Sequence, residues 1–260
     1  MMLKTTMIGD ETAHPVLLAH GLFGQGRNLG PIARTLVEQG HRALSVDMRN
    51  HGESFHNDDH SYAAMAGDLA RVIEANGGRA DVVGHSMGGK AAMVLALTQP
   101  TLIDRLVVMD IAPVAYAHDQ AGYLSAMKNL DLNGLEGRRS NADRRLAETV
   151  GEPGIRAFLL QSLDLKADPP RWMLNLDALD AGMAGLVGWP GDDLQPGSFD
   201  GPALFLTGET SDYVTADGKA AIQRLFPQAE FASVKGAGHW LHADQPAKTA
   251  AAVADFLRRG

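Results

Sequence analysis

The sequence predicts an α/β domain in which a mostly parallel central sheet is flanked by helices. Short apolar runs, partly β-branched, alternate with longer amphipathic runs, which is the pattern of repeated strand–helix–strand units. Polar or glycine-rich segments directly follow several of the apolar runs, and ligands of such sheets bind at the carboxyl ends of the strands. The alternation breaks over residues 114–200, where only helical patterns occur, and it resumes afterwards.

Composition narrows the class of protein and its partners. The 260 residues are 45% hydrophobic, enough for one large domain or for one domain with an insertion. The net charge of −8 argues against nucleic acid or an anionic membrane as the main partner. The absence of cysteine excludes disulfides, thiolate catalysis and zinc–thiolate sites. Residues 1–6 do not resemble a signal peptide and no apolar run is long enough to span a bilayer, so we expect a soluble cytoplasmic protein.

The first half of the chain supplies the first strands and helices. A short edge strand is predicted over 3–8, and apolar runs predict buried strands over 16–19 and 42–46. Helices are predicted over 31–39 and 61–76, where apolar residues recur at helical spacing. The second of these helices begins at a serine suited to an N-cap and ends at two glycines.

A serine between two glycines lies at the next junction of strand and helix. The motif GHSMG at residues 84–88 separates a strand predicted over 80–83 from a run of good helix formers over 90–97. Such a G-x-S-x-G turn strains the backbone of Ser86 and exposes its hydroxyl, while the glycines let neighbouring elements approach closely. Ser86 is therefore the candidate nucleophile, and the helix N-terminus beside it favours developing negative charge.

Two main-chain amides are candidates for an oxyanion hole. The sequence HGLFG at residues 20–24 follows a predicted buried strand, and the chain must turn tightly there. The amide of Leu22 can then point at a carbonyl oxygen together with the amide of Met87. A glycine-rich turn without a catalytic role is the alternative, and the nearby serine motif favours the functional interpretation.

The candidate base lies near the end of the chain. Residues 236–242 have the sequence GAGHWLH, and a histidine on a glycine-flanked loop after the last strand can reach across the edge of a sheet. A chain order of serine, acid and then histidine is typical of the G-x-S-x-G motif, which selects His239 as the base. His242 is the second candidate, because its neighbours are less rich in glycine.

Other motifs were weighed against these. Residues 84–90 match most of a P-loop, but Ala91 stands where a Mg²⁺ ligand needs a hydroxyl. Residues 24–29 lack the third glycine of a dinucleotide-binding fingerprint. The His- and Asp-rich residues 56–60 resemble a metal site in composition, yet no partner ligands are identifiable, and a solvated loop before the cap at Ser61 is the simpler interpretation.

The second half of the chain combines an insertion with the end of the sheet. After a strand over 106–109 ending at Asp110, helical patterns over 117–130, 140–150 and 153–163 predict a helical lid, or cap, at 114–200. Ordinary packing helices are the alternative interpretation of this segment. The core domain then comprises 1–113 and 201–260. Its last elements are predicted as strands over 203–207 and 229–234 and helices over 215–225 and 246–258.

Several motifs in this order resemble the α/β-hydrolases over essentially the whole chain, and more narrowly the YbfF-type bacterial esterases. This resemblance implies an α/β-hydrolase fold and an esterase or thioesterase that acts on a small acyl substrate without a cofactor. The matching stretches are HGLFG (20–24), DMRNHG (47–52), GHSMGGK (84–90), DIAPV (110–114) and GAGHW (236–240).

The acid of the triad has more than one candidate. Many α/β-hydrolases place it after the strand that follows the lid, in a pattern like G-x-x-D-x-x-V, and here Ser211 occupies the aligned position. Asp212 stands one residue later and is the main competitor. The DIAPV match favours Asp110 as the residue that orients His239, with Ser211 as a secondary hydrogen-bond partner.

The predicted chemistry is acyl transfer to water through an acyl-enzyme on Ser86. An acyltransferase, a cofactor-free haloperoxidase-like enzyme on the same triad, and a non-catalytic ligand-binding protein on a hydrolase fold are the alternatives. Four side chains are expected to contact the substrate, namely those of Phe23, His85, Trp172 and Trp240.

Overall fold

The computed structural model describes residues 1–117, 120–191, 194 and 198–259. In this part of the chain seven strands form one sheet with the spatial order β1-β3-β2-β4-β5-β8-β9, and β6 and β7 form a separate pair. Only β1 runs antiparallel to its neighbour within the large sheet. The strands are β1 (Thr5–Ile8), β2 (Pro15–Ala19), β3 (Arg42–Val46), β4 (Ala80–His85), β5 (Ile103–Met109), β6 (Leu163–Asp164), β7 (Arg171–Trp172), β8 (Ala203–Gly208) and β9 (Ala229–Val234).

Helices cover both faces of the sheet. They are α1 (Gly30–Glu38), α2 (Tyr62–Glu74), α3 (Met87–Thr98), α4 (Gln120–Lys128), α5 (Arg139–Leu146), α6 (Pro153–Leu159), α7 (Leu176–Val187), α8 (Ala216–Leu225), α9 (Leu241–Asp244) and α10 (Pro246–Leu257). The apolar sides of α1 and α10 pack on one face, and those of α2, α3 and α8 pack on the other. No helix within the described residues has the length and apolarity needed to cross a bilayer.

The central strands are apolar on both sides because both of their faces are buried. In β2, Val16 and Leu18 belong to the core beneath α1 and α10, while Leu17 and Ala19 belong to the opposite core. This two-sided burial follows from the two-residue period of strand side chains. The predicted α/β architecture with a mostly parallel sheet is therefore confirmed, and the predicted bounds of β3 and β9 agree with the structure.

The segment between β5 and β8 carries α4 to α7 and the small β6–β7 pair. The helix predicted over 117–130 corresponds to α4, and its residues 118 and 119 lie outside the described residues, as do 192, 193 and 195–197 of the segment. The helix predicted over 153–163 ends at Leu159 and continues as a single 3₁₀ turn over Leu160–Ser162. The pattern of residues did not predict α7, because its internal glycines weaken the helical signal. It did not predict β6 and β7 either, because strands of two residues are too short to show alternation.

Four neighbouring strands end at the same edge of the sheet. The loop at 20–24 follows β2, Ser86 follows β4, Asp110 follows β5, and the loop beginning at Glu209 follows β8. Because these strands are parallel and adjacent, their carboxyl ends bring these residues together.

Candidate active site

Ser86 occupies a sharp turn between the last residue of β4 and the first residue of α3. Its backbone is held at φ 51° and ψ −117°, a conformation that is strained for a residue with a side chain. The flanking glycines leave room for this turn, since a Cβ on Gly84 would lie 2.5 Å from the carbonyl oxygen of Gly88. A Cβ on Gly88 would lie 2.4 Å from the carbonyl oxygen of Ala19. The hydroxyl is therefore presented at the edge of the sheet, half-buried.

The imidazole of His239 joins Ser86 to Asp110. Its Nε2 lies 3.2 Å from the Ser86 Oγ, and its Nδ1 lies 2.8 Å from the Asp110 Oδ2. A carboxylate accepts hydrogen bonds, so Nδ1 carries the proton and Nε2 has the lone pair that accepts from the serine hydroxyl. The three side chains thus have the geometry of a nucleophile, a base and an orienting acid.

The Asp110 carboxylate is fully buried and held by three donors. Its Oδ1 accepts from the amide of Gly208 at 3.0 Å, while its Oδ2 accepts from the Ser211 hydroxyl as well as from His239. These donors replace water around the buried charge. Asp212 is exposed, and the structure describes no hydrogen bond between it and His239. Of the two acid candidates, the fold brings Asp110 to the ring, with Ser211 beside it.

An aromatic ring that the sequence analysis did not select supports His239. The Tyr213 ring stacks on the imidazole with centroids 3.6 Å apart and planes inclined by 15°. Its backbone carbonyl accepts from the Tyr116 hydroxyl at 2.8 Å, and its own hydroxyl accepts from the Gln120 amide nitrogen at 3.3 Å. Burial raises the pKa of Tyr213 to about 12, so the ring stays neutral. The position of this tyrosine beside Ser211 was the one sequence signal that could have found it.

Leu22 and Met87 line the same cavity as Ser86. A Cβ on Gly21 would lie 3.2 Å from the Ser86 Cβ, so the loop at 20–24 runs directly beside the nucleophile. Met87 is the first residue of α3, where the amides of the first turn have no partner inside the helix. Neither the Leu22 nor the Met87 amide donates to another group among the described residues. These two amides are the candidate donors to an oxyanion.

A cavity open to solvent lies over these groups. Phe23, His85 and Trp240, three of the four side chains expected to contact the substrate, line it. The segment between β5 and β8 forms one wall of the cavity, with Tyr116, Gln120 and Tyr123 among its residues. The apolar side chains of that wall are Ile155, Phe158, Leu159, Leu186 and Val187.

Trp172 corrects the sequence-based expectation, because it does not line this cavity. It pairs with Leu163 across the β6–β7 pair, and its indole nitrogen donates to the carbonyl oxygen of Met127 at 3.0 Å. A half-buried indole needs an acceptor for its N–H, and this one finds it within the inserted segment rather than at the substrate.

Lys90, the lysine of the P-loop-like motif, is buried and makes internal contacts. Its ammonium donates to the carbonyl oxygens of Val114, Val187 and Gly188, and it lies 4.7 Å from the centroid of the Tyr116 ring. Burial lowers the pKa of Lys90 to about 7. Its three donors already have acceptors, so a role in binding nucleotide phosphates does not fit. Lys90 instead connects Val114, at the start of the segment inserted after β5, to the C-terminal end of α7.

His242, the second candidate base, lines the cavity but has no described hydrogen bond to Ser86. Its ring centroid is 4.7 Å from that of His85, and its Nδ1 is buried without a partner among the described residues. Burial lowers the pKa of His242 to about 4, so the ring is neutral near neutral pH. The ring that reaches Ser86 is that of His239.

The fold and this constellation of residues define the class of protein. A model of the alpha/beta hydrolase fold family matches residues 14–246. The chain therefore belongs to the α/β-hydrolase family.

Comparison with named proteins narrows the type of hydrolase within this family. The chain is 41% identical over 256 residues to the sn-1-specific diacylglycerol lipase ABHD11 of Mus musculus, covering 96% of this chain and 82% of the mouse protein. It is 37% identical over 248 residues to the esterase YbfF of Escherichia coli K12, covering 94% of this chain and 92% of that protein. The resemblance to YbfF-type esterases is thereby confirmed, and these relatives support a hydrolase of esterase or lipase type.

Two further comparisons extend this result. A probable alcohol acetyltransferase of Saccharomyces cerevisiae is 33% identical over 277 residues, covering 96% of this chain and 80% of the yeast protein. The solved structure of a marine microorganism esterase superposes with a TM-score of 0.91 at 33% identity, covering 98% of this chain and 99% of the other. The same backbone therefore occurs in an esterase, and a relative is named for acyl transfer.

Proposed function

We propose that this protein is a serine hydrolase that cleaves small carboxylic esters or acyl thioesters through an acyl-enzyme on Ser86. The observation that carries the proposal is the unbroken line of hydrogen bonds from the Ser86 hydroxyl through His239 to Asp110. The cavity over Ser86 and the esterase and lipase names of the relatives support it. The acyl group of the substrate would occupy the apolar part of that cavity.

Acylation follows from the geometry of the site. The Ser86 oxygen attacks the substrate carbonyl carbon while its proton passes to the Nε2 of His239, and the carbonyl electron pair moves onto the oxygen. The amides of Leu22 and Met87 donate to this oxyanion, and Asp110 stabilises the imidazolium. Collapse of the tetrahedral intermediate breaks the bond to the leaving group, which takes the proton from His239. The acyl group remains on Ser86.

Deacylation repeats these steps with water. His239 removes a proton from a water molecule that attacks the acyl carbon, and collapse returns the proton to the Ser86 oxygen and releases the acid. In this proposal the segment 114–200 is a cap over the core of 1–113 and 201–260. The cap walls the cavity with apolar side chains from α6 and α7, which would select the acyl group.

Transfer of the acyl group to an alcohol is the second candidate. The yeast relative named as a probable alcohol acetyltransferase favours it. Both reactions share the acyl-enzyme and differ only in the acceptor of the second step. Adding ethanol to a p-nitrophenyl acetate assay and measuring ethyl acetate by gas chromatography separates them. Ester formation in place of acetate supports the transferase.

A fluorophosphonate probe and one substitution test the hydrolase. We expect intact-mass analysis to show one probe adduct on the wild-type protein and none on Ser86→Ala. The same change should lower p-nitrophenyl ester hydrolysis by more than about 10³-fold, because the nucleophile is lost. The matched control is Ser233→Ala, at an exposed serine on β9, which should keep wild-type labelling and rate. Labelling or turnover retained by Ser86→Ala would reject the proposed nucleophile.

A further inference from the structure

The direction of the Leu22 N–H bond depends on the orientation of the peptide plane that Leu22 shares with Gly21. The carbonyl oxygen of Gly21 accepts from the His20 Nδ1 at 2.7 Å and from the Gly24 amide at 3.0 Å. In a planar trans peptide the C=O and the next N–H point in opposite directions. Because these two donors anchor the Gly21 carbonyl, the Leu22 N–H is fixed in the opposite direction within the same peptide plane.

The peptide plane on the other side of Leu22 is anchored as well. The amide of Phe23 donates to the His51 Nε2 at 3.2 Å, and the carbonyl oxygen of Phe23 accepts from the Ser162 hydroxyl at 2.9 Å. Phe23 has a φ of 63°, in the left-handed region that costs about 1–3 kcal/mol for a residue with a side chain. Contacts on both sides of Phe23 therefore keep the loop in a conformation that it would otherwise leave.

Both histidines can make these contacts only as neutral rings of one tautomer. The His20 Nε2 accepts from the Met48 amide at 2.9 Å, so its proton is on Nδ1 and points at the Gly21 carbonyl. The His51 Nε2 accepts from Phe23, so its proton is on Nδ1 and donates to the Arg49 carbonyl at 2.8 Å. Burial lowers the pKa of His20 to about 4 and that of His51 to about 3.

We propose that His20 and His51 are positioning residues that aim the Leu22 amide at the oxyanion formed on the substrate. The two rings lie edge to face with centroids 5.1 Å apart, so they act on the loop at 20–24 as one buried unit. Both nitrogens of each ring are engaged by the backbone, and neither residue takes part in proton transfer. The inference rests on the proposed function. It adds to that function the two residues that orient one of the two oxyanion donors, the Leu22 amide.

Replacing His51 by residues of different hydrogen-bonding capacity tests the role. His51→Leu removes the acceptor for Phe23, and we expect kcat to fall about 10²-fold, the cost of losing one oxyanion donor, with KM changed by less than about threefold. His51→Gln places an amide oxygen near the former Nε2 and should recover most of kcat. His20→Leu should give the same split between kcat and KM as His51→Leu.

A transition-state mimic adds a readout that a merely structural role would not change. A trifluoromethyl ketone forms a tetrahedral adduct with an oxyanion, so its inhibition constant should weaken by the same factor as kcat in His51→Leu. The matched control is His60→Leu, which alters the third ring of the stack, 5.7 Å from His51, without a described hydrogen bond to residues 20–24. Circular dichroism spectra confirm which variants are folded.

The outcomes distinguish this inference from the proposed function. A folded His51→Leu variant with wild-type kcat, or one whose loss lies in KM alone, overturns the positioning role and leaves the hydrolase intact. Equal losses of kcat in His60→Leu and His51→Leu also overturn it, since the loss would then come from disturbing the packed histidine rings and not from the hydrogen bond to Phe23. A wild-type protein that neither hydrolyses esters nor reacts with the fluorophosphonate overturns both.

Discussion

The two sides of the cavity are positioned in different ways. On the sheet side, Ser86 and Asp110 each follow a strand, have φ values of 51° and 53°, and donate their amides to the neighbouring strand, to Met109 at 3.1 Å and to Leu206 at 2.9 Å. On the opposite side, α6 and α7 supply apolar side chains that are held by packing. Main-chain hydrogen bonds fix an atom more closely than side-chain packing does. The reacting groups therefore lie on the sheet, and the apolar side chains of the wall can vary without changing these main-chain hydrogen bonds.

The largest effect on activity is expected when Asp110, the acid on the sheet side, is replaced. Asp110→Asn would place an amide against the Nδ1 of His239 and favour the wrong tautomer, so kcat should fall about 10³- to 10⁴-fold. Asp212→Asn, at the exposed neighbouring candidate, should change kcat by less than about twofold, in line with surface substitutions. Steady-state kinetics with a p-nitrophenyl ester measures both. The reverse order of effects would transfer the acid to Asp212 and break the comparison.

An intermediate effect, on stability, is expected when Lys90 is replaced, because this lysine of α3 bonds to the inserted segment. Lys90→Met deprives the carbonyls of Val114 and Val187 of their buried donor, and this should lower the free energy of unfolding by about 2–4 kcal/mol. Chemical denaturation in urea measures the change. The matched control is Lys219→Met, because Lys219 also lies over an aromatic ring, 5.8 Å from the Phe231 centroid, but is exposed. Similar losses in the two variants would show that the contacts of Lys90 with Val114 and with the end of α7 do not stabilise the fold.

The two sides also differ in how far the sequence predicts them. Ser86 and His239 were selected because glycines at strand ends leave a local signal, and the structure brings them into contact. Asp110 needed the resemblance to a family, since an aspartate after a strand carries no pattern of its own. The roles of Lys90 and Tyr213 depend on residues about a hundred positions away, which no local pattern reports.

The wall was predicted least well. Its helices are short and its apolar residues face the sheet, the cavity or one another, so periodicity does not show which of them meet a ligand. Trp172 was assigned to the substrate on composition, whereas its indole is used within the segment. The lining of the cavity therefore depends on the tertiary fold and on no local pattern.

The smallest effect is expected from truncating Phe158 on the wall of the cavity, and it should appear in substrate preference. This change tests the comparison of the two sides most directly. Phe158 of α6 lines the cavity and packs against Trp240 with ring centroids 5.8 Å apart. Phe158→Ala should shift the preference from butanoyl toward octanoyl p-nitrophenyl esters by about tenfold in kcat/KM, since pocket changes of this size are worth about 1–3 kcal/mol. The matched control is Phe231→Ala, the same truncation on the edge strand β9.

Chain-length profiles of kcat/KM for the two variants and the wild type decide the result. In Phe158→Ala, the rate of fluorophosphonate labelling should stay within about threefold of wild type, because the triad and the loop at 20–24 lie on the sheet side and keep their main-chain contacts. A profile that is unchanged in Phe158→Ala, or shifted equally in Phe231→Ala, would contradict selection by the wall. A large loss of labelling would instead show that α6 also positions the reacting groups, and the separation of the two sides would not hold.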